Sequence, residues 1–330
     1  MRIVTLGSGT GQAVLLRGLR AYTCQVTAVV GVTDNGGHSG QLRRALHMPQ
    51  VGDTRQCLSA LMAEQSVWGQ LLRHRFADGD IRGQSVGNLM LAALAEQYGR
   101  LSTAVAEVCR AAGVVQRVFP VTDADVQIGA EFDDGRSIIG EWQIIQRTPR
   151  CAVKRLFLTP PAAAHPQVLA AIAEADVLVC CAGSLLTGMT PVLLPDGMRD
   201  AITASQARCI YVCNIMTQPG QTDGFSASQH VIWLEHYLGR PLDMLVCHQG
   251  MLPTVLVECY AEQGALPVVN DLQDMAVPVY QADLIEHPDA ETIRAYTRAQ
   301  GAGMQAGLHL MRHDSAKLAA LIMQLAAESA

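Results

Sequence analysis

Three alternate glycines near the N-terminus, Gly7, Gly9 and Gly11, enclose Ser8 and Thr10. Residues of these types bind phosphate. Glycine lets the backbone come close to an oxyanion, and a helix starting there offers unpaired N–H groups and the positive end of its dipole. Thr10 can cap that helix or bond a phosphate oxygen. The dinucleotide fingerprint G-x-G-x-x-G would put its last glycine where Gln12 stands, and there is no P-loop lysine, so the pattern is G-x-G-x-G. A tight strand-to-helix turn without a ligand is the plain alternative. Three alternate glycines before a helix favour the ligand.

Other polar residues gather at further turns. The run Asp34-Asn35-Gly36-Gly37-His38-Ser39-Gly40 has its acid 23 residues after Gly11, near where a carboxylate holds a ribose hydroxyl. Asp34 could instead hold a metal, and an ordinary Asn/Gly/Asp turn competes with both. Arg43 and Arg44 read as phosphate contacts or as a solvated helix face. Asp53 or Thr54 can cap the helix CLSALMAEQ, and Arg55 in its first turn opposes the dipole unless an anion sits there. Ser85 and Asn88 open a further helix, where capping is the simplest role. Gly183-Ser184-Leu185 and the loop from Asn214 through Thr217 are small or polar turns at strand ends. His230 and His236 are too far apart for a one-face metal pair and read as ordinary histidines.

Positioning these turns requires a sheet. Ile3, Val4 and Leu6 form a short buried strand, and Val14, Leu15, Leu16 and Leu19 recur at helical spacing. QVTAVVGVT is a second buried strand, and residues 66 to 112 are helical in pattern. VVQRVFPVT, DVQIGAEF and SIIGEWQII then read as strands, with Asp133-Asp134-Gly135 as a hairpin turn. They predict an antiparallel meander over residues 114–147. KRLFLTP, DVLVCCAG, CIYVCN and LDMLVCH resume the parallel pattern with helices between, LPVVN and VPVYQ add edge strands, and DSAKLAALIMQLAAES is a C-terminal helix capped by Asp314 or Ser315. The expectation is a Rossmann-like, doubly wound α/β domain spanning 1–330, with a mostly parallel sheet and an inserted antiparallel meander. Polar strand ends on one sheet edge then build one crevice.

Bulk properties narrow the function. With 330 residues and 49% hydrophobic content the chain can bury a large core, and no apolar run reaches the roughly 18 residues of a membrane span. A net charge of −6 and 5% aromatic residues disfavour a nucleic-acid or anionic-membrane surface. The ten cysteines sit mostly in apolar runs without a C-x-x-C, as reduced buried thiols of the cytosol do, and the strand at the N-terminus reads as no signal peptide.

Joined in order, GSGTG with LLRGL, VTDNGGHSGQLRR, GDTRQCL, SVGNL, AGSLLT, NIMTQPGQTDGFSA and RHDSAKLA span nearly the whole chain. Together they identify it as resembling the gluconeogenesis factors, the YvcK/YbhK-like proteins, and more distantly 2-phospho-L-lactate transferase (CofD-like). Departures occur: G-G-G-T-G is G-S-G-T-G, the paired Asp-Asp is Asp34-Asn35, Pro-Pro-Gly-Asp is Gln50-Val51-Gly52-Asp53, Gly-His-Ser is Gly83-Gln84-Ser85, and Gly-Pro-Gly-Ser is Cys181-Ala182-Gly183-Ser184. The resemblance implies a cytoplasmic protein linked to carbon metabolism, cell shape and cell-wall synthesis, and a UDP-sugar ligand. That ligand would be held by Gly7, Ser8, Gly9, Thr10 and Gly11, by Asp34, Asn35, Gly36, Gly37 and Ser39, and by Arg43, Asp53, Arg55, Asn88, Gly183, Ser184, Leu185, Asn214 and Thr217. In this reading Gly7–Gly11 and Gly183–Ser184 grip the diphosphate, Asp34 or Asn214 takes a hydroxyl, and Arg43 or Arg55 balances charge. Such a sensor would signal to a regulatory protein partner or act as a homo-oligomer. The transferase relatives imply an alternative: a Mg²⁺-dependent enzyme on a nucleoside-diphosphate-type donor, with Asp34 as metal ligand or base and Asp53 in support. A third reading, an NAD-dependent dehydrogenase, is weakened by Gln12.

Overall fold

Runs of branched apolar residues pair side by side in the computed structural model, which describes residues 1–301 and 310–328. Seven of them make one sheet: β1 (Arg2–Gly7), β2 (Gln25–Val30), β3 (Arg117–Pro120), β7 (Val177–Cys180), β8 (Arg208–Val212), β9 (Met244–His248) and β10 (Val279–Ala282). Their order is β10-β9-β8-β7-β1-β2-β3, and every pairing is parallel. A smaller antiparallel sheet holds β4 (Gln127–Phe132), β5 (Ser137–Ile139) and β6 (Val153–Thr159) in the order β5-β4-β6. β1 sits centrally, with Thr5 opposite Ala28 on one side and Val179 on the other. A parallel sheet covered on both faces needs apolar residues at every position, and β7 is accordingly buried throughout.

Each face carries its own core. On one, the helices Gly9–Leu19, Gly52–Leu61 and Ser315–Ala327 bring Leu15, Leu16, Leu58 and Ile322 against Ile3, Ala28 and Val179. On the other, the small sheet and the helices Pro166–Ala173, Met198–Ala204 and Ala227–Leu238 bring Ile128, Leu156, Val168 and Leu234 against Leu6, Val29 and Leu178. The expected doubly wound fold with an antiparallel insert is therefore what forms. Asp314 caps the C-terminal helix, its Oδ1 accepting from the N–H groups of Ala316 and Lys317 at 2.9 Å; Ser329 of that run lies outside the described residues. Among the described residues no helix is long and apolar enough to cross a membrane.

The insert differs from the expected 114–147 meander. VVQRVFPVT joins the main sheet as β3, parallel to β2, and KRLFLTP pairs antiparallel with β4 as β6, so the small sheet runs from 127 to 159. SIIGEWQII is strand only as far as Ile139, and Glu141–Ile145 is a short helix. Gly140 makes the break. Its φ of +103° is open to glycine, and a Cβ there would fall 2.2 Å from Gln143 Oε1. LPVVN gives a single bridge, Met216 to Pro267, whereas VPVYQ supplies β10.

Candidate functional site

Strand order reverses between β1 and β7, the point where an open α/β sheet leaves a crevice at its carboxyl edge. The glycine turn leaves β1 there, and Ala182-Gly183-Ser184 leaves β7 beside it. Gly11 packs so closely on the second turn that a Cβ would sit 1.7 Å from the Ala182 carbonyl oxygen. The helix Gly9–Leu19 begins with no side-chain cap. Its first amides have no intrahelical acceptor, and among the described residues those of Ser8, Gly9, Thr10 and Gly11 reach no oxygen outside the helix. Thr10 Oγ1 points instead toward Gln56 Oε1, at 3.5 Å. Gln12, which breaks the dinucleotide pattern, is fully buried, and its Nε2 donates to the carbonyls of Thr5 and Val29 at 3.1 and 3.0 Å, bracing β1 and β2.

A cavity of about 390 Å³ opens from these amides and is lined also by Asp34, Asp53, Glu141, Thr187 and Gln218. Three carboxyl groups thus converge beside one helix N-terminus. Burial, then the Asp34 charge, pushes Asp53 up to about 7, while a hydrogen bond from Gln50 and the charge of Arg55 pull the other way. Burial, then Asp34, holds Glu141 well above the usual carboxylate range, and its Oε2 is buried without a hydrogen-bond partner. The Oε1 of Gln218 is likewise unpartnered. Gln50 organises the Asp53 turn: its Oε1 accepts from Gly52 N at 2.6 Å and its Nε2 donates to Asp53 Oδ2 at 3.0 Å. The expected Asp53 or Thr54 cap does not form; Gln50 accepts from the first helix amides instead.

The raised Asp53 carboxyl has a measurable consequence. In the folded chain it keeps its proton up to about pH 7; unfolded it loses it near 3.8. Its contribution to stability is therefore complete below about pH 4 and is lost as pH rises through 7. Without divalent cation, Asp53→Asn is expected to be more stable than the parent at pH 8 by on the order of 2 kcal/mol, since a pKa unit is worth about 1.4 kcal/mol and the partial exposure of the side chain screens the shift. Urea denaturation at pH 4, 6 and 8 reads it, and a difference that does not vary with pH would refute the raised carboxyl.

A family model described as 2-phospho-L-lactate transferase CofD matches residues 3–285. A Bacillus subtilis gluconeogenesis factor is 34% identical over 333 residues, covering 99% of this chain and 98% of its own. The chain belongs to the gluconeogenesis factor family, within the CofD-like proteins. A Thermotoga maritima member is 36% identical over 327 residues, with 98% of this chain and 99% of the relative covered. A crystal structure of a Bacillus halodurans protein of the UPF0052 family superposes with a TM-score of 0.87 at 33% identity, covering 98% of this chain and 99% of that one.

Of the residues that the family resemblance marks as ligand-binding, the fold brings Ser8–Gly11, Asp34, Asp53, Gly183 and Ser184 to the switch-point crevice, while Gly7 is buried as the last residue of β1 and lines no cavity among the described residues. Asn35, Gly36, Gly37, Ser39, Arg55 and Asn88 line an adjoining cavity of about 410 Å³. Several are already engaged by protein. Arg43 is buried; its Nε donates to Asp125 Oδ1 at 2.6 Å and its Nη atoms to the Thr33 and Val126 carbonyls, so it pins the Asp34 loop to the insert and balances no ligand charge. Asn214 closes on Gly183 in both directions, accepting from its N–H at 3.0 Å and donating to its carbonyl at 2.7 Å. That removes both the Gly183 amide and the Asn214 carboxamide from the expected ligand contacts. The second turn keeps the amides of Ser184 and Leu185, which reach no protein oxygen among the described residues. Thr217 is tied to Leu266, its N–H donating at 2.7 Å and its Oγ1 accepting at 2.9 Å.

The adjoining cavity has its own chain of bonds. Asn88 donates to Ser39 Oγ and accepts from Arg55 Nε, at 3.0 and 2.9 Å. Arg55 also donates to the Leu72 carbonyl, and burial, then the charge of Arg75, lowers it to about 10. Its conflict with the helix dipole is thus met by protein oxygens. Asn35 spends both amide atoms on the Glu141–Ile145 helix, accepting from Trp142 N and donating to Gln143 Oε1 at 3.0 Å each. Asp34 Oδ1 accepts from Gly36 N at 2.7 Å, and the Asp34 carboxyl group also shares a hydrogen bond with Glu141 across the cavity. Glu141, Trp142 and Gln218 are the site residues that reading the sequence missed. Glu141 and Trp142 lie in a run that reads as a strand, and Gln218 carried no signal beyond its place in a turn.

Proposed function

We propose that the protein is a nucleotide-sugar-binding regulator of the gluconeogenesis factor type, linked to carbon metabolism, cell shape and cell-wall synthesis, and that it takes a UDP-sugar together with Mg²⁺. The observation that carries this reading is the meeting of unpaired helix amides with three carboxyl groups in one cavity. The amides suit a diphosphate. Carboxylates beside a diphosphate repel it unless a cation or protons intervene. The raised Asp53 and the unpartnered Glu141 oxygen fit a missing positive charge. Among the described residues no three His, Cys, Asp or Glu side chains are arranged to hold an ion alone, and Mg²⁺ characteristically binds one or two carboxylates plus substrate phosphates. Asp34 and Asp53 would hold it here, and bound Mg²⁺ neutralises phosphate charge. The chain's own residues do the rest: Ser8–Gly11 and Ser184 offer main-chain donors, and the Asn35 clamp keeps Glu141 over the cavity. A ligand drawing that helix down would change the surface that a partner protein meets.

Calorimetry with UDP-N-acetylglucosamine tests the reading. Binding is expected with Mg²⁺ and is expected to weaken at least about tenfold in EDTA, a loss of roughly 1.4 kcal/mol. Silence from every UDP-sugar in the presence of Mg²⁺ would reject it. One observation favours a second reading, a Mg²⁺-dependent transferase on a nucleoside-diphosphate-type donor: the Glu141 carboxyl, which is not among the residues assigned to the cation, has a buried Oε2 without a hydrogen-bond partner beside the cavity, as a group placed to exchange a proton would. In that case Asp34→Asn abolishes turnover and leaves nucleotide binding largely intact. Equal loss of both makes Asp34 a binding residue.

A further inference from the structure

Trp142 is 55% exposed, whereas Trp68 and Trp233 are partly buried. Exposing an indole has a cost, and this one is held in place. Its backbone N–H donates to Asn35 Oδ1 at 3.0 Å, and the preceding Gly140 N donates to the Ile128 carbonyl at 2.8 Å. Gly140 packs so tightly on Asn35 that a Cβ would lie 2.6 Å from its Nδ2. Among the described residues the indole stacks on no other ring and carries no cation over its face. Its position is the informative part. Trp142 lines the polar cavity that contains Asp34 and Arg55, and also a more apolar cavity of about 530 Å³ walled by Thr10, Gly11 and Gly183. A free aromatic face therefore borders the same space as the Thr10 and Gly11 amides.

We propose that Trp142 is the stacking face for the planar base of a nucleoside diphosphate whose phosphates lie on the Gly9–Gly11 amides. The inference rests on the nucleotide reading above and adds the residue that recognises the base. Glu141 and Trp142 are consecutive, so one short helix would place a carboxyl over the phosphates and a ring against the base. Base–aromatic stacking is sequence-tolerant, because every base has a π-face. Trp142 would thus supply affinity for nucleotides as a class, and discrimination among bases would lie with other groups.

The test separates the base from the phosphates. Full-length protein, Trp142→Ala and Trp142→Phe are titrated in Mg²⁺ with UDP-N-acetylglucosamine, ADP, GDP and inorganic pyrophosphate. The alanine variant is expected to bind the nucleotides about tenfold more weakly or worse and pyrophosphate unchanged, in line with the value of one stacked base. Phenylalanine should restore affinity to within about threefold, since it keeps a π-face. Nucleotide binding should quench tryptophan emission in the parent and not in Trp142→Phe. Nucleotide affinity unaffected in Trp142→Ala overturns the proposal. So does an equal loss for nucleotides and pyrophosphate, which would make Trp142 a prop for its helix, or nucleotide binding absent from the parent altogether. Binding of ADP or GDP without the UDP-sugar would overturn the UDP-sugar reading alone.

Discussion

Gly11→Ala is expected to cost the fold about 3 kcal/mol or more and to abolish pyrophosphate binding. Overpacking in a tight core commonly costs 1–3 kcal/mol, and more where backbone must move. Here the added Cβ would meet a carbonyl oxygen at 1.7 Å, and that oxygen belongs to the turn forming the other rim of the crevice. Neither rim can give way without opening the switch point. Gly9→Ala is the informative control. Gly9 has φ of +61°, and a Cβ there would find only Asp53 Oδ1, at 3.5 Å. Alanine at Gly9 thus meets a left-handed penalty of roughly 1–2 kcal/mol and no clash. Urea denaturation of the two variants gives the comparison. A Gly11→Ala protein as stable as Gly9→Ala would show that the two turns are not in contact.

Arg43→Ala is expected to destabilise by about 2–3 kcal/mol, because it leaves two carbonyls and the partly exposed Asp125 carboxylate without their donor. Its guanidinium satisfies Asp125 and two carbonyls from separate segments, Thr33 before the Asp34 loop and Val126 before β4. Lysine should not rescue it, because a single ammonium cannot reproduce the planar fork. The same experiment decides between two roles. If Arg43 balanced ligand charge, Arg43→Ala would keep its urea midpoint and lose affinity for pyrophosphate. The bonds require the midpoint to fall.

The glycine turns were legible because they are local: strand, small residues and helix follow one another along the chain, and the phosphate-binding logic needs nothing else. The parallel sheet was legible for a similar reason, since strands buried on both faces read as unbroken apolar runs. What escaped depends on which segments meet. VVQRVFPVT and KRLFLTP carry no mark that says parallel to β2 or antiparallel to β4. Asn214 looks like any polar strand end until Gly183 is seen against it. Arg43 looks like a phosphate ligand until Asp125, 82 residues away, takes it. Glu141 was hidden by its neighbours: S-I-I-G-E-W-Q-I-I alternates well enough to pass as a strand, and only Gly140 betrays the break.

β1 and β7 lie side by side, yet one belongs to the first seven residues and the other begins at Val177. During synthesis the flank of β1 that will receive β7 waits as a bare row of N–H and C=O groups while every residue up to Asp176 is made. No ligand can shepherd those early stages, because the second rim of its berth does not yet exist. What a ligand can do is hold the completed molecule against unfolding, in proportion to its concentration over its dissociation constant. Under the nucleotide-sugar proposal, the amount of this protein that survives quality control would then rise and fall with the supply of that ligand.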